Sequence, residues 1–240
     1  MEEILLKQIQ EIISAEEVSD KFNKYQMFMN MYNSAIKEVT TKFEILNDDL
    51  SVTHKRNPIE MIKSRIKSPQ SILDKMHRKG VPITIESLLE NINDVAGIRV
   101  ICSFVDDIYE VANMLVSQDD ITLLKVNDYI KEPKPNGYRS YHMIIEVPVF
   151  FSNSKRNMKV EVQLRTIAMD FWASLEHKMR YKKDIENAEQ ITDELKYCAD
   201  IIAQTDLRMQ NINNSIEANK DVEDKITKKE EEEDSVLWFW

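Results

Sequence analysis

The chain has 240 residues, 42% of them hydrophobic, and only three glycines, where an average chain of this length carries about seventeen. No two of the glycines lie close enough to form a Gly-rich dinucleotide-binding fingerprint or a Walker phosphate loop, so both kinds of nucleotide site are excluded. The formal net charge of −10 disfavours a general nucleic-acid-binding protein.

Cysteine usage and hydropathy predict a cytoplasmic protein. The two cysteines, Cys102 and Cys198, are typical of a reducing compartment rather than of a disulfide framework. The start Met1-Glu2-Glu3 lacks the positive charge of a signal peptide. No apolar run approaches the roughly 18 residues that span a bilayer, so we expect no membrane partner.

The first third of the chain carries helix signals. Residues 2–48 contain no Gly or Pro, and the pair Ser14 and Glu17 has the spacing of a capping box, which predicts two helices. Asn57 followed by Pro58 predicts another helix start. Ser68-Pro69 predicts a further helix, which Gly80 ends.

The centre of the chain changes to β-branched and alternating patterns. Strands are predicted over residues 98–104, 121–130, 141–151 and 158–165, and helices over 84–91, 106–117, 166–181 and from 191 onward. The predicted fold class is therefore α+β, with a mixed sheet of about five strands, flanking helices and helical extensions at both ends. Three units are predicted: helices over 1–54, a catalytic domain over 55–182, and a helix with a charged tail over 183–240.

A basic segment points to an anionic ligand. Residues 55–79 contain eight Lys or Arg residues and two acidic ones. Helical spacing puts Ser71, Lys75 and Arg78 on one face, and extended backbone would point Arg65 and Lys67 the same way. Such donors suit a polyphosphate. A solvated basic helix face would give the same pattern.

Two carboxylates are candidates for a magnesium site. Asp94 stands just before the strand at 98–104, and Glu161 lies on the polar face of the strictly alternating segment 159–165. Carboxylates from neighbouring strands can hold Mg²⁺, and Arg99 could point into the same cleft. The alternative is a capping Asp and a strand with one wet face.

A turn presents an aromatic ring. Gly137 permits a tight turn before Tyr138, and an exposed aromatic ring can stack on a nucleotide base. A hairpin whose tyrosine only packs is the alternative.

The ordered segments together resemble the synthetase domain of RelA/SpoT-type alarmone enzymes over about residues 55–182. The matching pieces are Arg65-Ile66-Lys67 with Ser71 to Arg78, Asp94-Val95-Ala96-Gly97-Ile98-Arg99, Asn136-Gly137-Tyr138-Arg139-Ser140-Tyr141-His142, Glu161 to Thr166, and Phe171 to His177. The chain's size resembles the stand-alone members, the small alarmone synthetases. The resemblance implies a nucleotidyltransferase-like fold, transfer of the β,γ-pyrophosphate of ATP to the 3′-hydroxyl of GDP or GTP, and Mg²⁺ as cofactor.

The resemblance also implies roles for individual residues. Asp94 and Glu161 would hold Mg²⁺, with Glu161 the candidate base. Tyr138 would stack on guanine. The expected ATP-binding residues are Arg65, Lys67, Ser71, Lys75, Arg78 and Arg99. The other expected GDP/GTP-binding residues are Lys134, Asn136, His142, Gln163 and Arg165. Asp170 stands where some relatives carry Asn, which puts its contact with nucleotide in doubt.

Further expectations follow from the same resemblance. No His-Asp pair of the family's hydrolase is present, so synthesis without hydrolysis is expected. A homotetramer is expected, and RNA is not expected as the main partner. Two alternatives remain open: another polymerase-β-like nucleotidyltransferase, which would normally show a Gly-Ser turn absent here, or a non-catalytic helical regulator that binds nucleotide or RNA.

Overall fold

One sheet and six helices make up the described part of the chain in its computed structural model. It describes the backbone of residues 2–53, 56–180 and 188–237, and the side chains of 23–53, 56–179 and 190–219. In chain order the elements are α1 (Glu2–Thr53), β1 (Ile59–Ile66), α2 (Pro69–Lys79), α3 (Ile85–Asn91), β2 (Ala96–Cys102), α4 (Val105–Val116), β3 (Thr122–Asp128), β4 (Tyr141–Phe150), β5 (Lys155–Thr166), α5 (Ile167–Arg180) and α6 (Ala188–Leu237).

The sheet has five strands in the order β1-β2-β5-β4-β3. The central pair β2 and β5 runs parallel, and the three other pairs are antiparallel. The predicted α+β class, with a mixed sheet of about five strands, is confirmed.

One face of the sheet is apolar and carries the core. Ile98 of β2, Ile145 of β4 and Val162 of β5 are buried on it, as the alternation of each strand requires. Phe43 of α1 and Leu115 of α4 belong to the same buried cluster. Helices α1 and α4 therefore supply the apolar side chains that this face needs.

The register gathers polar residues on the opposite face. Arg65 pairs with Gly97, and Gly97 pairs with Glu161. Gln163 pairs with Arg99 on one side and with His142 on the other. Because directly paired residues point to the same face, predicted site residues from four strands share one surface.

Two local predictions were wrong. The segment before Thr53 is one continuous helix rather than two, since no Gly or Pro interrupts it and the Ser14–Glu17 spacing is compatible with a helix interior. The segment after Asn57 is strand β1, not a helix. The Asn57 side chain does accept from the Ile59 backbone N–H at 3.3 Å, but this contact leads into a strand that pairs with β2.

No helix in the described part of the chain is long and apolar enough to cross a membrane. The predicted domain boundaries at 54/55 and 182/183 fall outside the described residues. Helix α6, predicted as a separate unit, packs against α5 and α4.

Candidate functional site

A carboxylate between two lysines lies at one end of the polar face. Asp94 Oδ2 is 2.5 Å from Lys67 Nζ and 2.6 Å from Lys75 Nζ. Burial raises the pKa of Asp94, but the two ammonium groups outweigh it and hold that pKa below its ordinary value. Asp94 is therefore an ionised, half-buried carboxylate, and both lysines predicted to bind ATP phosphates converge on it.

Helix α2 positions Lys75 through well-defined caps. The Ser68 hydroxyl accepts from the Ser71 backbone N–H at 3.3 Å, and Pro69 occupies the first turn. At its end, Gly80 adopts a left-handed conformation with φ 65°. The helix thus begins and ends where the sequence predicted. The side chains of Ser71 and Arg78 are exposed, so α2 brings Lys75 into the cluster around Asp94 and leaves these two facing solvent.

A cleft of about 250 Å³ lies beside this cluster, and Arg65, Arg99 and Gln163 are among its lining residues. The Arg65 side chain passes over Gly97, where an added Cβ would lie 3.7 Å from Arg65 Cγ. The Arg99 Nε is buried and has no hydrogen-bond partner among the described residues. The two arginines predicted for adenine thus line one cleft, and one of them retains an unused donor.

Four further predicted residues form a continuous chain of contacts with Glu161. Gln163 donates to Glu161 Oε2 at 2.7 Å, and Arg165 donates to Gln163 Oε1 at 3.2 Å and to the Tyr138 hydroxyl at 2.6 Å. The Tyr138 hydroxyl lies 2.8 Å from His142 Nε2, and His142 Nδ1 lies 3.7 Å from Glu161 Oε1. This closed ring fixes each side chain relative to the carboxylate.

The environment keeps Glu161 acidic. Burial raises its pKa, and so, to a smaller extent, does the negative charge of Asp94. The neighbouring His142 and the hydrogen bond from the Gln163 amide lower the pKa more, so it lies below its ordinary value. Glu161 is therefore suited to accept hydrogen bonds or to hold a cation, and is a weak proton acceptor near neutral pH.

The turn before β4 presents Tyr138 with Lys134 beside it. The Lys134 Nζ lies 4.7 Å from the centroid of the Tyr138 ring and 4.6 Å from that of Tyr129. Asn136 accepts from the Tyr138 backbone N–H at 3.3 Å and donates to Glu176 at 3.1 Å. Lys134 thus lies at the presented ring, whereas the Asn136 side chain is engaged in shaping the turn.

Sequence reasoning missed two residues at this site. Asp170, the doubtful position, accepts from Arg165 at 2.9 Å and lies 3.1 Å from Arg99 Nη1. Burial and the neighbouring Arg165 lower the pKa of Arg99, and Asp170 raises it. Tyr129 contacts Lys134 and the ring of His142. The sequence singles out Asp170 only as a position where some relatives carry Asn, and nothing in it indicates the contacts with the two arginines.

The donor set fits a magnesium ion. Asp94 Oδ1 is buried and has no hydrogen-bond partner among the described residues. No cluster of three or more His, Cys, Asp or Glu side chains suited to a metal occurs in the described ranges. Mg²⁺ is usually bound by one or two carboxylates, and phosphate and water oxygens complete its coordination. A soft metal that needs an all-protein cage does not fit.

Comparison with known proteins assigns these features to one family. Residues 64–186 match the model of the region found in RelA/SpoT proteins. The GTP pyrophosphokinase YwaC of Bacillus subtilis is 49% identical over 78% of this chain and 89% of its own length. The crystal structure of small alarmone synthetase 2 from Bacillus subtilis matches with a TM-score of 0.72 and 46% identity, over 80% of this chain and 98% of that one. Small alarmone synthetase 1 from Bacillus subtilis, solved with its product pppGpp, matches with a TM-score of 0.74 and 33% identity over the same shares.

Proposed function

The chain belongs to the RelA/SpoT family, and from that premise we propose that it is a GTP pyrophosphokinase of the small alarmone synthetase type. The reaction is transfer of the β,γ-pyrophosphate of ATP to the 3′-hydroxyl of GDP or GTP, which releases AMP. The observation that carries the proposal is the strand register, which sets Arg65 and Arg99 on the β1–β2 side of Glu161 and His142 on the β4 side. Two nucleotides bound along this surface would meet at Glu161.

ATP is proposed to bind at the β1–β2 end of the surface. The cleft lined by Arg65 and Arg99 supports a stacked adenine, because guanidinium planes stack on aromatic faces. Lys67 and Lys75 would hold phosphate oxygens beside Asp94. Ser71 and Arg78, on the exposed side of α2, are proposed to bind the same phosphates from the solvent side.

The guanosine nucleotide is proposed to bind at the β4 end. Tyr138 would stack on guanine, and Lys134, already beside that ring, would attract its phosphates. His142, Gln163 and Arg165 would fix the orientation of the tyrosine and of the sugar near Glu161. Asn136 is proposed to serve the site by shaping the turn.

Mg²⁺ is the proposed cofactor, held by Asp94 and Glu161. When bound, it would neutralise charge on the transferred pyrophosphate and help align it. The lowered pKa of Glu161 supports a role in orienting the 3′-hydroxyl rather than in fully removing its proton before attack. In the transfer, the 3′-oxygen forms a bond to the β-phosphorus of ATP, the bond from that phosphorus to the α-phosphate oxygen breaks, and the hydroxyl proton passes toward Glu161 or water.

Other properties are proposed with the function. We propose synthesis without hydrolysis, a cytoplasmic location and no RNA as the main partner. A homotetramer is supported by the exposed apolar side chains on the long helix α6, among them Tyr197, Ile201 and Ile212. Light scattering of the purified chain measures the mass of this assembly.

Incubation with ATP, Mg²⁺ and either GDP or GTP tests the proposed reaction. Chromatography with ³¹P NMR is expected to show AMP and a 3′-pyrophosphorylated guanosine nucleotide in equal amounts. Glu161→Gln should lower kcat at least about 100-fold, because it removes the negative charge that would hold Mg²⁺ and orient the 3′-hydroxyl.

A carboxylate elsewhere on the sheet serves as the control. Glu146 lies farther along β4, where it pairs with Lys159 of β5 and accepts from Asn157. Glu146→Gln should keep kcat within twofold of the parent chain. Formation of ADP and phosphate alone, or full activity of Glu161→Gln, would show that the proposed reaction is wrong.

A further inference from the structure

Helix α6 lies directly against the Tyr138 turn, by which we mean residues 134–139. Gly137 has a φ of 86°, and a Cβ added to it would lie 2.6 Å from the Cβ of Ala199. Real Cβ atoms essentially never approach so closely. Glycine is therefore needed here for two reasons. Its backbone is left-handed, and helix α6 lies too close to leave room for a Cβ.

Arg139 joins the turn to α6 through three acceptors. Its Nη1 donates to the Gly137 carbonyl at 3.1 Å and to the Ala199 carbonyl at 3.3 Å, and its Nη2 donates to Asp200 Oδ1 at 3.1 Å. The Arg139 side chain is only 18% exposed. One guanidinium thus links the backbone of the turn to both the backbone and a side chain of the helix.

The helix that receives this contact is itself anchored to the rest of the fold. The Trp172 indole N–H donates to the Leu195 carbonyl at 2.8 Å, and the Thr166 hydroxyl donates to Asp206 Oδ2 at 2.5 Å. Trp172 and Ala199 form a small buried cluster against which Tyr138 packs. The turn is therefore held by a part of the chain that is fixed at points on both sides of Ala199.

We propose that Arg139 and Asp200 are positioning residues for the guanosine nucleotide: they hold the Tyr138 turn against α6 so that the Tyr138 ring is in place before the nucleotide arrives. This inference rests on the proposed function. It makes the first half of α6 part of the guanosine site, although α6 contributes no predicted nucleotide contact. The guanosine nucleotide, but not ATP, depends on this clamp, because Arg65 and Asp94 lie at the opposite end of the polar face.

The physical basis is preorganisation. A turn that is free in the absence of nucleotide must be ordered at the moment of binding, and that cost weakens affinity. Hydrogen bonds of a guanidinium are charge-assisted and stronger than neutral ones. Once the nucleotide is bound, its own contacts order the turn, so the loss falls on KM for GTP rather than on kcat.

Three variants test the clamp. Arg139→Met removes all three contacts, and Asp200→Asn changes a side chain that is 40% exposed, so we expect it to fold normally. For Arg139→Met we expect KM for GTP to rise about tenfold, with kcat at saturation and KM for ATP within twofold of the parent. Asp200→Asn should raise KM for GTP by a smaller factor of about three. Arg139→Lys, which can still reach one acceptor, should fall between Arg139→Met and the parent.

Lys196 provides the matched control, since it contacts the other oxygen of the same carboxylate. Its Nζ lies 2.9 Å from Asp200 Oδ2 in an exposed pair within α6. Lys196→Met should leave both KM values within twofold. An unchanged KM for GTP in Arg139→Met and Asp200→Asn, or an equal rise for both nucleotides, would overturn the clamp.

A binding measurement separates this inference from the proposed function. Calorimetric titration of GTP into the parent chain and Arg139→Met requires no turnover, and the same tenfold difference in Kd is expected. A parent chain that binds GTP but makes no product contradicts the proposed reaction and leaves the clamp measurable. Equal Kd values for the two chains contradict the clamp whatever the reaction is.

Discussion

The hydroxyl and the aromatic ring of Tyr138 make different contacts in the structure. Its hydroxyl accepts from Arg165 at 2.6 Å and lies 2.8 Å from His142, so it belongs to the ring of contacts around Glu161. Its aromatic face has the Lys134 ammonium 4.7 Å from the centroid. The hydroxyl therefore orients the side chain, and the ring is the part that we propose stacks on the guanine base.

Substitution of Tyr138 separates these two contributions. Tyr138→Ala should raise KM for GTP roughly 10- to 100-fold, because stacking of one base on an aromatic ring contributes about 1–3 kcal/mol. Tyr138→Phe keeps the ring and should raise it less than about fivefold. KM for ATP should stay within twofold in both variants, as measured from initial rates of AMP formation. Equal effects of Phe and Ala would assign the role to the hydroxyl instead of the ring.

Single residues also show how far the site was predictable. Lys75 and Glu161 could be placed on polar faces from the sequence, because helical spacing and strand alternation assign side chains to faces without knowledge of the tertiary fold. The bridge by Asp170 between Arg99 and Arg165 was not predictable, since it joins two strands to helix α5. Asn136 stays a predicted nucleotide contact, and the sequence did not indicate the bonds of its side chain to the Tyr138 backbone and to Glu176 of α5.

At the scale of elements, caps and breakers predicted most boundaries. Helix α2 begins at Pro69 and ends before Gly80 because both signals act through local backbone geometry. Strand β1 was mistaken for a helix because Asn57-Pro58 is a start signal for more than one structure. Pairing with β2 decided the outcome, and that pairing depends on residues about 40 positions away.

Helix α6 carries a buried acid where it packs on the catalytic fold. Asp206 is 8% exposed and accepts from the Thr166 hydroxyl. Burial raises the pKa of Asp206 above its ordinary value of 3.8, and the hydrogen bond from Thr166 offsets this only in part. Because the folded chain disfavours the ionised form, the charge on Asp206 destabilises the fold at every pH above the folded-state pKa.

Asp206→Asn should therefore stabilise the chain near pH 8. The amide oxygen can still accept from Thr166, and the buried charge is removed. Each kcal/mol gained raises the Tm by roughly 2–4 °C for a chain of this size. The gain should shrink as the pH falls through the raised pKa and vanish below 3.8, where the acid is protonated in both states.

Thermal unfolding at several pH values checks this behaviour. Asp193→Asn, an exposed change on the same helix, should leave the Tm unchanged throughout. A loss of Tm at pH 8 in Asp206→Asn would mean that the ionised carboxylate supports the packing of α6.

At the scale of the whole molecule, the parallel pair β2–β5 is what joins two half-sites. Strand β2 carries Arg99 and follows Asp94, and β5 carries Glu161, Gln163 and Arg165. The antiparallel strands outside the pair add Arg65 at one end and His142 at the other. The proposed ATP side and the proposed guanosine side are thus opposite ends of one polar surface, and we expect that each can be disturbed with little effect on the other.

This independence predicts how ligands stabilise the chain. A ligand that binds only the folded state at 100 times its Kd adds about 2.7 kcal/mol to the free energy of unfolding, which corresponds to a Tm rise of roughly 5–10 °C here. MgATP and GTP, each added alone at that ratio, should both produce such a rise. Asp94→Asn should lose most of the MgATP shift, because Asp94 is the proposed cation ligand and holds Lys67 and Lys75 in place.

The GTP shift should survive in Asp94→Asn, since none of the contacts of Tyr138, His142 or Arg165 involves Asp94 among the described residues. Asp74→Asn is the matched control: Asp74 is an exposed acid on α2, next in sequence to Lys75, and accepts from Gln70. It should keep both shifts.

Differential scanning fluorimetry on the three chains, with each nucleotide separately, measures these outcomes. If Asp94→Asn abolished the GTP shift as well, the two ends of the surface would be coupled through the carboxylate pair, and the separation of the half-sites would be wrong.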